Sequence, residues 1–134
     1  MATITYNAVD RGSLLSGHTE GTHYTIEFGA QSIERSIKRD NARSTALGGR
    51  VETLRNRKEI HWNIGTDHIE HADLPVWYEF MDSVDAGEAF KLDPYGTAAT
   101  PDAPRDVILE GNPTESRVGA IKVYTIRFRV REIL

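Results

Sequence analysis

Chemistry-bearing side chains crowd one stretch, HWNIGTDHIEHAD, which brings together His61, Asp67, His68, Glu70 and His71. A zinc site needs three or four such ligands converging tetrahedrally, whereas a His-x-x-His pair ahead of a helix offers two at best. No HExxH and no cysteine add to the set. The stretch therefore reads as a polar loop before a helix, with no metal. Nucleophilic catalysis lacks a Gly-x-Ser-x-Gly elbow, and the glycines of ALGG at 46–49 precede no Lys-Ser/Thr pair that would make a phosphate loop. Asp82 and Asp85 fall on the wet side of a predicted helix, where nothing would raise a pKa for acid catalysis. No catalytic residue and no cofactor are expected. A metal-dependent enzyme built on His61, His68 and His71 would declare itself by stoichiometric zinc.

The charge pattern is more informative than the formal total of -4. Arg35, Lys38, Arg39, Arg43, Arg50, Arg55, Arg57 and Lys58 stand against only Asp40 and Glu52, whereas Asp67 to Glu110 is dominated by acids, with Lys91 and Arg105 as its only bases apart from histidine. Two such segments either neutralise each other within one molecule or let copies dock head to tail, basic surface on acidic surface. Nucleic-acid binding is a minor reading, because the total is acidic and no aromatic residues interleave with the bases.

These side chains must be carried by a few elements. DLPVWYEFMDSVDAG, from Asp73 to Gly87, has a helical period: Leu74, Trp77, Phe80, Met81 and Val84 share one stripe. Asp73 suits an N-cap, Pro75 a first turn and Gly87 a left-handed C-terminal position. A helix over about 73–86 follows, roughly 20 Å long, the lid of a β core. His23 to Phe28 and the last stretch, AIKVYTIRFRVREIL, alternate as strands with one dry face. In the latter, Tyr124, Ile126, Phe128 and Val130 oppose Thr125, Arg127, Arg129 and Arg131. Three arginines on a sheet surface keep an edge soluble, meet acidic groups or line a polar channel.

Between these, Thr3–Tyr6 is a short strand and AQSIERSIKRDNAR leans to strand. ALGG is a corner. Arg50 to Ile64 is a hairpin or one long bent strand, with Lys58, Ile60, Trp62 and Ile64 sharing a face. Its basic half is a poorly buried arm, either a loop or a reach to a neighbouring subunit. Ala89–Leu92 is a strand, Asp93–Pro104 a loop, Asp106–Glu110 a short strand and Asn112–Gly119 a turn or bulge. The 134 residues make one domain, 1–134, large enough for a core without disulfides. No apolar run reaches a membrane span and the N-terminus is unlike a signal peptide, so a soluble, cytosolically made protein is expected. The fold class is mainly β (α+β): a β-sandwich or split barrel of about six to seven strands with one flanking α-helix.

The order of a Gly-Gly corner, an arm ending in HWNI, then DLPVWYEFMDSVDAGEAFKLDPYG and a final YTIRFRVREIL resembles bacteriophage tail proteins of the distal-tail, baseplate-ring and tail-tube type. The resemblance covers most of the chain from about Tyr24 onward, without a second, carbohydrate-binding-like domain. It implies a non-enzymatic virion structural protein, made and assembled in the bacterial host cytoplasm. Copies would form a ring, commonly hexameric, with tail-tube or baseplate proteins as neighbours and DNA as transient cargo in the channel. The candidate inter-subunit contact places Arg50, Arg55, Arg57 and Lys58 of one copy against Asp82, Asp85 and Glu88 of the next. The alternative is a small β binding module for a carbohydrate or a phage protein, which an aromatic cluster exposed on one sheet face would favour.

Overall fold

The structure, a computed structural model, describes residues 1–45 and 51–133, and their side chains except those of 39–57. The described residues form one antiparallel sheet of β1 (Ala2–Asn7), β2 (His23–Phe28), β3 (Ala30–Thr45), β4 (Val51–Thr66), β5 (Ile69–Glu70), β6 (Phe90–Asp93), β7 (Arg105–Arg117) and β8 (Val123–Glu132). The single α-helix, α1 (Leu74–Ser83), is entered through a 3-10 turn at His71–Asp73. The fold is mainly β with one flanking helix, as the two hydrophobic periods indicate.

Strand order is β2-β1-β6-β7-β8-β4-β3, and the short β5 resumes the pairing along β8 where β4 leaves it. The two ends of that path, β2 and β3, are consecutive in the chain with only Gly29 between them. The sheet must therefore curl until its ends meet, the split-barrel form. Phe28 on β2 and Phe128 on β8 face each other across the interior, with ring centroids 6.4 Å apart.

Helix α1 fills that interior. Leu74, Trp77, Phe80 and Val84 are buried, and Phe80 meets Tyr6, Trp77, Phe90 and Phe128 at centroid distances of 5.5, 6.1, 5.1 and 6.2 Å. Each edge-on aromatic pair contributes about 0.5–1.5 kcal/mol beyond its burial. The opposite flank of the helix is also covered: Glu79 and Ser83 are fully buried beneath the segment 8–22.

Several boundaries depart from the sequence pattern. The helix is shorter than 73–86, and Asp73 makes no side-chain cap bond, because the 3-10 turn already carries the backbone into helical angles there. Pro75 does sit in the first turn, and Gly87 has a φ of 88°. β7 runs from Arg105 to Arg117 instead of stopping at Glu110, because it absorbs Gly111–Pro113 as a register shift between Glu110 and Thr114. β4 runs on from Ile64 to Thr66, so His61 lies in the strand expected over 50–64 and not in the polar loop read for HWNIGTDHIEHAD. β8 lies between β7 and β4, so its arginines occupy an internal strand and not an edge.

Candidate functional site

The basic segment folds into a projecting arm. β3 and β4 pair from Ala30↔Thr66 to Thr45↔Val51, but β8 accompanies β4 only from His61 to Gly65. The pairs from Ile37↔Ile60 to Thr45↔Val51 thus have no third strand among the described residues. At about 3.3 Å per residue the ribbon extends roughly 30 Å past the sheet. Asp40 pairs with Arg57 and Asn41 with Arg55, so Asn56 is the extra residue of a bulge that bends the arm. β4 is the long bent strand of the two sequence alternatives.

Of the candidate interface residues, Arg50 lies outside the described residues, as does the ALGG corner. Arg55 and Arg57 have their backbones in the arm, with side chains outside the description, and Lys58 is half-buried at its base. The acids sit elsewhere, at the C-terminal end of α1. Asp82 accepts a hydrogen bond from Ser13 Oγ, and Glu88 pairs with the Arg11 guanidinium, which also donates to the Asp82 carbonyl at 2.8 Å and the Ser83 carbonyl at 3.2 Å. The Arg11 bond holds the Glu88 carboxyl below its ordinary pKa. Asp85 is exposed. Two of the three acids are thus engaged within the molecule.

An ion ladder that the sequence did not reveal crosses the outer sheet face. His61, only 4% exposed, lies with Nδ1 2.6 Å from Glu110 Oε2 on β7 and Nε2 3.1 Å from Glu59 Oε2. Arg129 Nε donates to the same Glu110 oxygen at 3.0 Å, and Arg131 stands 3.9 Å from Glu59. Desolvation pushes the Glu110 carboxyl up, but its bonds to His61 and Arg129 outweigh this and hold it below the ordinary value. Arg129 and Arg131 therefore meet acids of their own sheet, and Arg127 lines a cavity of about 340 Å³ with Ser32, Glu34, Asn63 and Asn112.

The second unforeseen cluster is buried. Glu79 accepts hydrogen bonds from Tyr6 Oη at 2.6 Å and the Leu15 amide at 2.7 Å, and His18 Nδ1 lies 2.7 Å from it. Burial alone would raise its pKa, yet these partners leave it lowered. Burial and then the bond to Glu79 push the Tyr6 phenol well above its ordinary range. His18 also stacks on Tyr24 at 3.8 Å. The cluster straps segment 8–22 across the helix.

His68 and His71 are exposed on the link after β4, remote in role from His61, whose ring is committed to Glu59 and Glu110. Among the described residues no group of three or more His, Asp or Glu is placed to hold a metal ion. No helix among them is long and apolar enough to cross a membrane. The exposed tyrosines, Tyr78 and Tyr95, lie on α1 and on the loop after β6, not on a sheet face.

On the side of the molecule where β4 leaves β8, a cleft of about 420 Å³ separates β2 from the Asp67–Ile69 link and α1. Its walls carry Glu27, Asp67 and Asp73, with Val76 and Trp77 behind them. Compared with known proteins, this sequence matches no family model and no curated protein.

Proposed function

We propose that this chain is a non-enzymatic structural subunit that assembles with copies of itself into a ring of a phage tail or baseplate, as tube, tube initiator or distal-tail ring, continuing a channel for DNA. The reading rests on the resemblance of the sequence to such proteins, and one structural observation supports it most: the two-stranded basic arm beyond His61 that no third strand accompanies. An isolated antiparallel ribbon is marginal in water. One with this excess of arginine gains most from an acidic surface on another molecule. Donor arm and acceptor surface differ, so the contact is heterologous and closes into a ring when the rotation per subunit divides a full turn. In this reading the subunit resides in the virion, with tube or baseplate proteins above and below it.

The test is negative-stain electron microscopy of the concentrated protein together with light scattering across salt concentrations. Rings or short tubes with a central hole are expected, dissociating as ionic strength rises toward 1 M, where screening acts within about 3 Å. A single monomeric species at every concentration and salt would overturn the reading.

A further inference from the structure

We propose that the cleft between β2 and α1 is the acceptor for the far end of the β3–β4 arm of a second copy, the arm adding along the open edge of β2; this rests on the self-assembly reading above. The sheet path ends at β2, which pairs only with β1 among the described residues. In an antiparallel pair alternate residues direct their N–H and C=O groups away from the partner, so that edge presents unsatisfied donors and acceptors to whatever lies beside it.

Beside it lies the cleft and not another strand. β4 would have continued there, but after Thr66 the chain turns into the Asp67–Ile69 link, held to the β2–β3 joint by the Asp67 amide donating to the Gly29 carbonyl at 2.7 Å. The cleft lining carries three acids, Glu27, Asp67 and Asp73, with Met1 and His68 beside them and no lysine or arginine. Asp73 makes no side-chain cap bond to its helix. Glu27 accepts the Ala98 amide at 3.0 Å, and Asp67 the amide of His68 at 2.8 Å. Of the acids at the other end of α1, Asp82 and Glu88 are occupied by Ser13 and Arg11.

The occupant is identified by charge and by shape. Residues 39–58 carry Arg39, Arg43, Arg50, Arg55, Arg57 and Lys58 against Asp40 and Glu52. Their described backbone is extended and offers its own outer edges. A strand laid along β2 would complete main-chain hydrogen bonds on both sides, the pattern of β-strand addition. It would also set arginines against the cleft carboxylates. The arm's roughly 30 Å reach past the sheet is enough to cross to a neighbour of this size.

The absence of cysteine permits a direct test. Thr25→Cys places a thiol on the exposed side of β2, and Thr53→Cys places one in the far half of the arm. The two single variants, mixed and treated with a short bis-maleimide, are expected to give covalent dimers several-fold above either variant alone. Introducing Asp73→Lys, or Glu27→Lys, into the Thr25→Cys chain is expected to cut that yield about tenfold, as two opposed charges become like charges. Assembly seen by light scattering with no excess of the mixed cross-link would overturn the cleft as acceptor while leaving self-assembly standing. A chain that neither assembles nor cross-links overturns both. Should a lysine variant fail to fold, the cross-link between the two cysteine variants still decides.

Discussion

Glu79 has three neighbours on one carboxylate, and nothing else in the cluster can replace it. Glu79→Gln turns one oxygen into an NH2 group that faces the donors Tyr6 Oη, the Leu15 amide or His18, so at least one buried donor loses its acceptor. The expected cost is about 1–3 kcal/mol of unfolding free energy by urea denaturation at neutral pH. The pH dependence has a definite sign. The folded-state pKa of Glu79 is depressed, so its contribution is present above the unfolded value of 4.5 and is lost as pH falls below it. Glu110 and Asp93 are also depressed, so the native protein should lose stability steeply below about pH 4.5. The Glu79→Gln variant should show a shallower acid limb; an identical limb would mean that the carboxylate is not ionised in the fold. The sequence could not announce this residue. It stands among acids that look solvated, and its burial comes from segment 8–22, which has no hydrophobic period of its own. Only its contacts with Tyr6 and His18, sixty or more residues away in the chain, distinguish it from Asp85.

Among the elements, those with a clean period were legible and those broken by glycine or proline were not. β2 and β8 alternate and α1 repeats every third or fourth residue, so their faces were readable from side-chain type alone. Gly111, Asn112 and Pro113 break the strand pattern of β7 in the sequence, whereas in the fold they form a bulge that the strand crosses. β5 has two residues, too few to show any period. The outer-face ladder on His61 needed the register of three strands, which no local pattern encodes. The basic arm was visible because charge needs no register, whereas the cleft exists only because β4 departs at Thr66. The loop after β6 is likewise non-local: the Asp93 carboxylate accepts the amides of Tyr95, Asp102 and Ala103, and Thr3 Oγ1 donates to the Gly96 carbonyl at 2.7 Å. A side chain at Gly96 would collide with both the Asp93 carboxylate and the Asp102 amide. Gly96→Ala should therefore destabilise by about 1–3 kcal/mol, the usual range for overpacking. A melting temperature equal to that of the native chain would show that the loop opens at no cost. Phe80→Ala, which removes the ring shared by Tyr6, Trp77, Phe90 and Phe128, should cost more, about 3–5 kcal/mol.

At the scale of the molecule, the proposed assembly and the stability of the fold rest on different parts. β8 accompanies β4 only from His61 to Gly65, and the split barrel closes through Gly29 and β8 without a third strand beside the far end of the arm among the described residues. Removing the arm then breaks no strand pairing of the barrel itself among the described residues. Excising 40–57 and joining Arg39 to Lys58, which already face each other in register, through an Asn-Gly turn gives a hairpin that ends near the body. The shortened protein should unfold at nearly the same temperature as the full chain, because the ribbon it loses is only marginally stable on its own. Its self-association by light scattering should disappear, and so should the salt dependence that the arginines bring. Loss of the folded state in the shortened chain would make the arm part of the core. Unchanged association would place the contact between copies on another surface, the paired charges of the outer sheet face being the next to examine. The combination of an intact melt with abolished assembly is what a subunit with a self-sufficient barrel and a projecting basic arm requires.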